Sequence, residues 1–243
     1  MRIHRIHTYE DLAPDYRVVL DAACSHYLVR VLRVVVGQPL VLFNGDGFDY
    51  AASVEKASKS GLEALVTARL PATPESPLRT TLVQSLARGE RTDFALQKAT
   101  ELGLTAFQPV EAARTEVRLK PDKLDARLAH WQKVMISACE QCGRARLPEL
   151  RPPIDLASWA GSEPDGIRLV LVPGSHPALA STELADAVEV LVGPEGGFEE
   201  QELELLQRSG VKAVSLGPRI LRTETAGPAA LAILQSLAGD FRL

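Results

Sequence analysis

The sequence predicts a chain of two parts: a small β-rich module over residues 1–70 and an α/β domain with a mostly parallel sheet over residues 79–243, joined by a linker at 71–78. Three observations carry this reading. Pro71-Ala-Thr-Pro-Glu-Ser-Pro77 sets three prolines in seven residues, which disfavours helix and central strand alike. Before it, strand-like runs flank a turn sequence. After it, strand-like runs alternate with segments of helical period, the pattern of repeated β-α-β units whose sheet binds ligands at the carboxyl ends of its strands.

In chain order, Gln38–Phe43 and Phe48–Val54 read as strands separated by Asn44-Gly-Asp-Gly47, residues that accept the positive φ of a tight turn. The acidic spacing of a calcium loop is missing there. Beyond the linker, strands are predicted at Thr81–Leu86, Leu104–Val110, Ile167–Val172, Val188–Val192 and Val211–Leu216. Helices are predicted at Thr92–Leu102, stopped by Gly103, and at Pro121–Cys142, stopped by Gly143. Glu199–Ser209 and Pro228–Leu237 complete the set.

The composition is that of a globular protein: 243 residues, 46% hydrophobic and 24% charged. No run approaches the roughly 20 apolar residues that span a bilayer, and the first residues lack the apolar core of a secretory signal, so a cytoplasmic location is expected. Three cysteines cannot build a disulfide framework. The net charge of −4 hides a segregation. Residues 79–151 carry 13 Lys+Arg against 9 Asp+Glu, and residues 152–243 carry 6 against 13. A basic middle leaves room for a phosphate-binding surface beside an acidic end.

Two loops concentrate the chemistry. Val190-Leu-Val-Gly-Pro-Glu-Gly-Gly-Phe198 runs from a strand through a glycine-rich turn toward a helix. Gly193, Gly196 and Gly197 remove side chains where a ligand or another backbone comes close. No Lys-Ser/Thr follows as in a phosphate-binding nucleotide loop, and the spacing is not the dinucleotide fingerprint, which disfavours ATP and NAD. One β-α unit later, Leu216-Gly-Pro-Arg-Ile-Leu-Arg-Thr-Glu-Thr-Ala226 leaves the end of another strand with two arginines and a glutamate. Loops at adjacent strand ends face one crevice.

GPEGGF followed by LGPRILRTETA resembles the signature of the bacterial 16S ribosomal RNA uridine-N3 methyltransferases, members of the knotted SPOUT class. The similarity continues in Arg88-Gly-Glu-Arg91 with Gln97-Lys-Ala-Thr-Glu-Leu-Gly103, in Glu140-Gln-Cys-Gly-Arg144 and in His26-Tyr-Leu-Val-Arg-Val-Leu-Arg33, covering nearly the whole chain. Gly227-Pro228 departs from the small or apolar helix formers expected after RTETA.

The resemblance implies a PUA-like RNA-binding β-barrel followed by a SPOUT methyltransferase domain whose C-terminal segment forms a trefoil knot. It implies S-adenosylmethionine as cofactor, cradled by three loops: Leu171, Val172 and Pro173; Gly193, Pro194, Glu195, Gly196 and Gly197; and Leu216, Gly217, Ile220, Leu221 and Thr223. Arg222 is expected to stabilise charge on the uracil oxygens and Glu224 to accept the N3 proton, with Glu195 as the alternative base. The implied partners are 16S ribosomal RNA in the 30S subunit and a second copy of the chain, docked through the apolar segment Pro228–Leu237. Arg30, Arg33, Arg88, Arg91, Lys98, Arg114 and Arg144 are the expected RNA contacts.

Cys139-Glu-Gln-Cys142 has C-x-x-C spacing, but it ends a long helix and lacks the further ligands that zinc requires, so both cysteines read as packing residues near a functional Gln141 or Arg144. The five histidines form no ligand pattern, and no metal is expected. A methyltransferase of the same class acting on tRNA or 23S RNA is the nearest rival, and a noncatalytic RNA-binding assembly factor is the rival from another class.

Overall fold

The computed structural model describes residues 3–58 and 61–242. Its contacts divide the chain into two units, Met1–Pro74 with Cys139–Leu147, and Glu75–Ala138 with Pro148–Leu243.

The first unit is built on five strands: β1 (His4–His7), β2 (Arg17–Leu20), β3 (Pro39–Phe43), β4 (Phe48–Ser58) and β5 (Gly61–Pro71). Their order is β1-β3-β4-β5-β2, with β1 parallel to β3 and the other pairs antiparallel. Alternation along β4 and β5 turns Tyr50, Ala52, Val54, Leu62, Ala64 and Val66 into one core. Asn44–Gly47 forms the predicted turn. Asn44 Oδ1 accepts from the Asp46 N–H at 3.3 Å, Asp46 accepts from the Phe48 N–H at 2.8 Å and from the Tyr50 hydroxyl at 2.7 Å, and Gly45 and Gly47 hold φ of +94° and +95°. The Asp46 carboxylate is thereby committed to the turn. Between β2 and β3 the chain forms α1 (Ala22–His26), capped by the Asp21 side chain accepting from the Cys24 N–H, and a π-helical turn over Tyr27–Val31; neither is among the expected elements.

The second unit contains β6 (Arg79–Ser85), α2 (Arg91–Glu101), β7 (Ala106–Glu111), α3 (Pro121–Cys142), β8 (Glu149–Leu150), β9 (Ile154–Asp155), α4 (Leu156–Gly161), β10 (Ile167–Leu171), β11 (Ala187–Val192), α5 (Glu200–Arg208), β12 (Lys212–Val214) and α6 (Thr223–Ala238). The sheet runs β12-β10-β11-β6-β7-β8, with β9 also beside β7, and its pairs are parallel. Successive residues of β6 feed opposite cores, as strand geometry requires. Leu82 packs with Leu96, Phe107, Trp131 and Leu231, while Val83 packs with Val110, Trp159, Leu191 and Leu206. The central strand β11 is buried along its whole length.

Three observations revise the expected layout. First, α6 begins at Thr223, five residues before Pro228, so the proline lies inside the helix and leaves the Glu224 carbonyl without its i+4 donor. Gly227 has a packing reason: a Cβ there would stand 3.0 Å from Leu82 Cδ1, so its absence lets α6 approach β6. Second, residues 139–147 group with the first unit. Arg5 holds them there: it pairs with Asp49 at 2.7 Å, donates to the carbonyls of Cys139 at 2.6 Å and Arg144 at 2.9 Å, and lies 3.9 Å above the Phe43 ring. Third, β10 and β11 carry a buried ion pair inside the sheet. Arg168 Nε donates to Glu189 at 2.9 Å, and the guanidinium also reaches the carbonyls of Trp159 and Ser162, tying the end of α4 to the sheet.

Candidate active site

The parallel register places the carboxyl ends of β10, β11 and β12 side by side, and a cavity of about 610 Å³ opens there, within the α/β unit. Leu171, Val172 and Pro173 line it from the end of β10. Gly193, Pro194, Glu195 and Gly197 line it from the loop after β11. Leu216, Gly217, Ile220, Leu221 and Thr223 line it from the loop between β12 and α6, together with Arg222 and Glu224. Strands bring together what the sequence holds some fifty residues apart, and the walls are chiefly apolar side chains and exposed backbone.

Of the expected cofactor residues, Gly196 alone is absent from this lining. A Cβ on it would stand 3.3 Å from Arg114 Cβ, and its carbonyl accepts from Arg114 Nη1 at 3.0 Å, so it faces away from the cavity and packs on that arginine. Gly193 is the position where space is short on the cavity side: a Cβ there would meet the Phe198 ring at 2.7 Å, and Phe198 itself lines the cavity. Phe198 and Arg219 belong to the motifs quoted above but were not among the expected site residues. Their membership of those loops was the available signal.

The charged groups gather at one wall. Arg91, at the start of α2, donates to Glu195 at 2.8 Å and stands 3.9 Å from Glu224; Arg222 stands 3.9 Å from the same Glu224 oxygen. The Glu224 side chain is 14% exposed and accepts from the Thr223 hydroxyl at 3.3 Å, whereas Arg222 is 79% exposed. A second cavity of about 740 Å³ lies against this wall, sharing Arg91, Arg222 and Glu224 with the first and adding Arg88 and Phe94. One carboxylate and two guanidiniums thus separate two adjoining spaces. This arrangement suits proton removal and charge stabilisation at a reaction passing between them.

The expected RNA contacts are more dispersed. Arg30 and Arg33 are exposed on the first unit, beside exposed Tyr27 and Val31. Arg88 is exposed and pairs with Glu116 at 2.7 Å; Arg114 pairs with Glu199 at 3.6 Å; Lys98 donates to Glu101 at 2.8 Å. Arg91 belongs to both cavities and is a site residue before it is a phosphate contact. Arg144 is buried, 8% exposed, in the segment that Arg5 holds through the Arg144 carbonyl.

Of the C-x-x-C pair, Cys139 is buried and Cys142 partly exposed. Cys139 is fully buried beside Phe43 and Ala145, and its thiol reaches the Arg146 carbonyl at 3.6 Å. Burial, with Asp21 and Glu140 nearby, pushes the Cys24 thiol up to about 12, which keeps it protonated at neutral pH. Among the described residues no group of three or more His, Cys, Asp or Glu is placed to hold a metal ion, and no helix is long and apolar enough to cross a membrane.

Comparison with known proteins agrees with this geometry. The RNA methyltransferase domain family matches residues 74–235, and the RNA methyltransferase PUA domain family matches residues 20–67. A ribosomal RNA small subunit methyltransferase E of Mycobacterium bovis is 35% identical over 92% of this chain and 88% of its own length. The crystal structure of a ribosomal RNA small subunit methyltransferase E from Neisseria gonorrhoeae bound to S-adenosyl methionine is 38% identical, with a TM-score of 0.92 over 99% of this chain and all of that one. A Legionella pneumophila methyltransferase in complex with bound SAM superposes with a TM-score of 0.95 over 99% of this chain at 34% identity. Matches at this identity, running the length of both units, place the chain in the ribosomal RNA small subunit methyltransferase E family, within the SPOUT class.

Proposed function

We propose that this protein transfers a methyl group from S-adenosylmethionine to N3 of a uridine in 16S ribosomal RNA. The observation that carries the proposal is the pair of adjoining cavities sharing Arg91, Arg222 and Glu224 as their common wall. The first cavity fits the cofactor. Its volume lies in the usual range for small-ligand pockets, about 300–1,000 Å³, and its lining combines an apolar slot for an adenine with main-chain groups at Gly193, Gly197 and Gly217. When bound, S-adenosylmethionine supplies an electrophilic methyl group on a sulfonium.

The residues of this chain do the rest. Uracil N3 carries a weakly acidic proton that must leave for the nitrogen to attack, and Glu224 accepts it. Arg222 and Arg91 hold the negative charge that spreads onto the uracil oxygens, and the shared wall sets the nitrogen toward the methyl group. Glu195 is less suited to the base role, because its carboxylate already accepts from Arg91 at 2.8 Å. The similarity to ribosomal RNA small subunit methyltransferases E and to the two cofactor-bound neighbours supports this reading. It includes a cytoplasmic homodimer docked through α6, where Ala229, Ala232, Ile233 and Leu237 stay partly exposed, and the 30S particle as the form of the RNA.

Mapping reverse-transcriptase stops on ribosomal RNA from cells with and without the protein tests the reaction, because N3 methylation blocks the Watson–Crick edge. One stop in 16S RNA that depends on the protein is the expected result. A protein-dependent stop in tRNA or 23S RNA instead, or none at all, rejects it.

Two variants test the pocket. Gly193→Ala presses a methyl group against Phe198 and pushes that ring into the cavity, so calorimetry should record a cofactor affinity about 5- to 100-fold weaker, the scale of a locally overpacked site. Gly196→Ala, directed at Arg114 Cβ and away from the cavity lining, should leave it within about twofold. The reverse order would move the cofactor to another surface.

The RNA contacts have their own test. Each phosphate contact removed lowers the log–log salt slope of RNA binding by about 0.7–0.9. Arg88→Ala is therefore expected to flatten the salt dependence of 30S binding by about that amount without changing cofactor affinity. An unchanged slope would assign Arg88 to its ion pair with Glu116 alone.

A further inference from the structure

We propose that Phe94 is the stacking platform for the nucleobase that receives the methyl group; this deepens the functional reading above and rests on it. Phe94 lies in the first turns of α2, whose buried face is made by Thr92, Ala95, Leu96, Ala99 and Thr100. The phenyl ring is off that face and 48% exposed, so the core does not account for it. It lines the second cavity together with Arg88, Arg91, Arg222 and Glu224, across the wall from the cofactor space. It also lines a third cleft of about 390 Å³, which continues along α2 and α3 to Gln97, His130 and Lys133.

An aromatic ring set between two clefts that also carry charged side chains, one of them reaching the catalytic wall, has the chemistry that holds an unstacked base. A pyrimidine ring presents a flat apolar face and a polar edge. Phe94 takes the face, while Arg91 and Arg222 meet the oxygens of the edge and Glu224 meets N3. Base–aromatic stacking tolerates any base, so specificity for uracil resides in the wall and Phe94 supplies position. It touches the substrate base and takes no part in proton transfer.

The test compares Phe94→Ala, Phe94→Leu, Phe94→Tyr and Phe94→Trp in the full-length protein. Methyl transfer is followed on 30S subunits purified from cells lacking the protein, with cofactor affinity by calorimetry and oligomeric mass by light scattering as controls. The Ala and Leu variants are expected to lose about 5- to 150-fold in kcat/KM, the range that loss of one stacked base implies, while Tyr and Trp stay within a few-fold and cofactor affinity is unchanged.

The Trp variant gives a readout independent of activity. The two native tryptophans, Trp131 and Trp159, are buried, so a tryptophan at 94 is the exposed emitter; a single-stranded uridine hexamer should quench it, and an abasic hexamer should not. Parental activity in the Ala and Leu variants, or equal response to both hexamers, overturns the proposal. So does a fall in oligomeric mass in the Ala variant, which would make Phe94 an interface residue. If the parent protein leaves 30S subunits unmethylated while uridine RNA still quenches the Trp variant, the functional reading fails and base stacking at Phe94 stands.

Discussion

Replacing Glu224 with Gln is expected to lower kcat for methyl transfer by about 10²- to 10⁴-fold, the range that positioned acid–base catalysis contributes. Glutamine keeps the shape of the side chain and the acceptor that the Thr223 hydroxyl reaches, so the start of α6 should persist. What it removes is the proton acceptor and the charge facing Arg91 and Arg222. Cofactor affinity should change little, since the apolar and main-chain walls of the larger cavity are untouched. Glu195→Gln supplies the comparison: it breaks the 2.8 Å pair with Arg91 but takes no proton acceptor from the reaction, so its loss should be at least tenfold smaller. Single-turnover rates at saturating cofactor measure both. Equal losses, or near-parental activity in Glu224→Gln, would assign the base to another group.

How much of this was legible in the sequence depended on whether a residue's role is local. The helices Thr92–Leu102 and Pro121–Cys142 and the turn Asn44–Gly47 follow from backbone preferences, and the structure places them within a residue or so. The cavity loops were legible because two unusual loops leave adjacent strand ends, and residues after β10, β11 and β12 do meet at one cavity. The direction in which a glycine faces is not local. Gly196 shares a motif with Gly193 and Gly197 yet turns toward Arg114, a residue some eighty positions earlier. Arg144 looked like a surface cation by type and segment charge, but its segment is held through backbone carbonyls by Arg5, and no spacing announces a pair separated by 139 positions. The start of α6 was misplaced because Pro228 reads as a first-turn residue, whereas the packing of Gly227 on Leu82 carries the helix through it.

Removing Arg168 is expected to destabilise the α/β unit by about 3–5 kcal/mol, the usual effect of stranding one member of a buried ion pair. Neither side chain was singled out in the sequence, since the partners lie 21 positions apart and only the strand register pairs them. The register sets them opposite each other, 5% and 3% exposed. Glu189 accepts from Arg168 Nε, from Trp159 Nε1 at 2.9 Å and from the Asp165 N–H at 2.9 Å, so Arg168→Ala leaves a desolvated carboxylate with neutral donors only. It also removes the bonds that Arg168 donates to the carbonyls of Trp159 and Ser162 at the end of α4. Both native tryptophans lie in this unit, so tryptophan fluorescence in a urea titration follows its unfolding without a contribution from the first unit. The double variant Arg168→Met, Glu189→Leu should recover much of the loss, because it removes both charges together and fills the site with apolar volume. If Arg168→Ala unfolds at the parental urea concentration, the pair contributes nothing net; if the double variant is worse than the single one, the hydrogen bonds to α4 outweigh the charges.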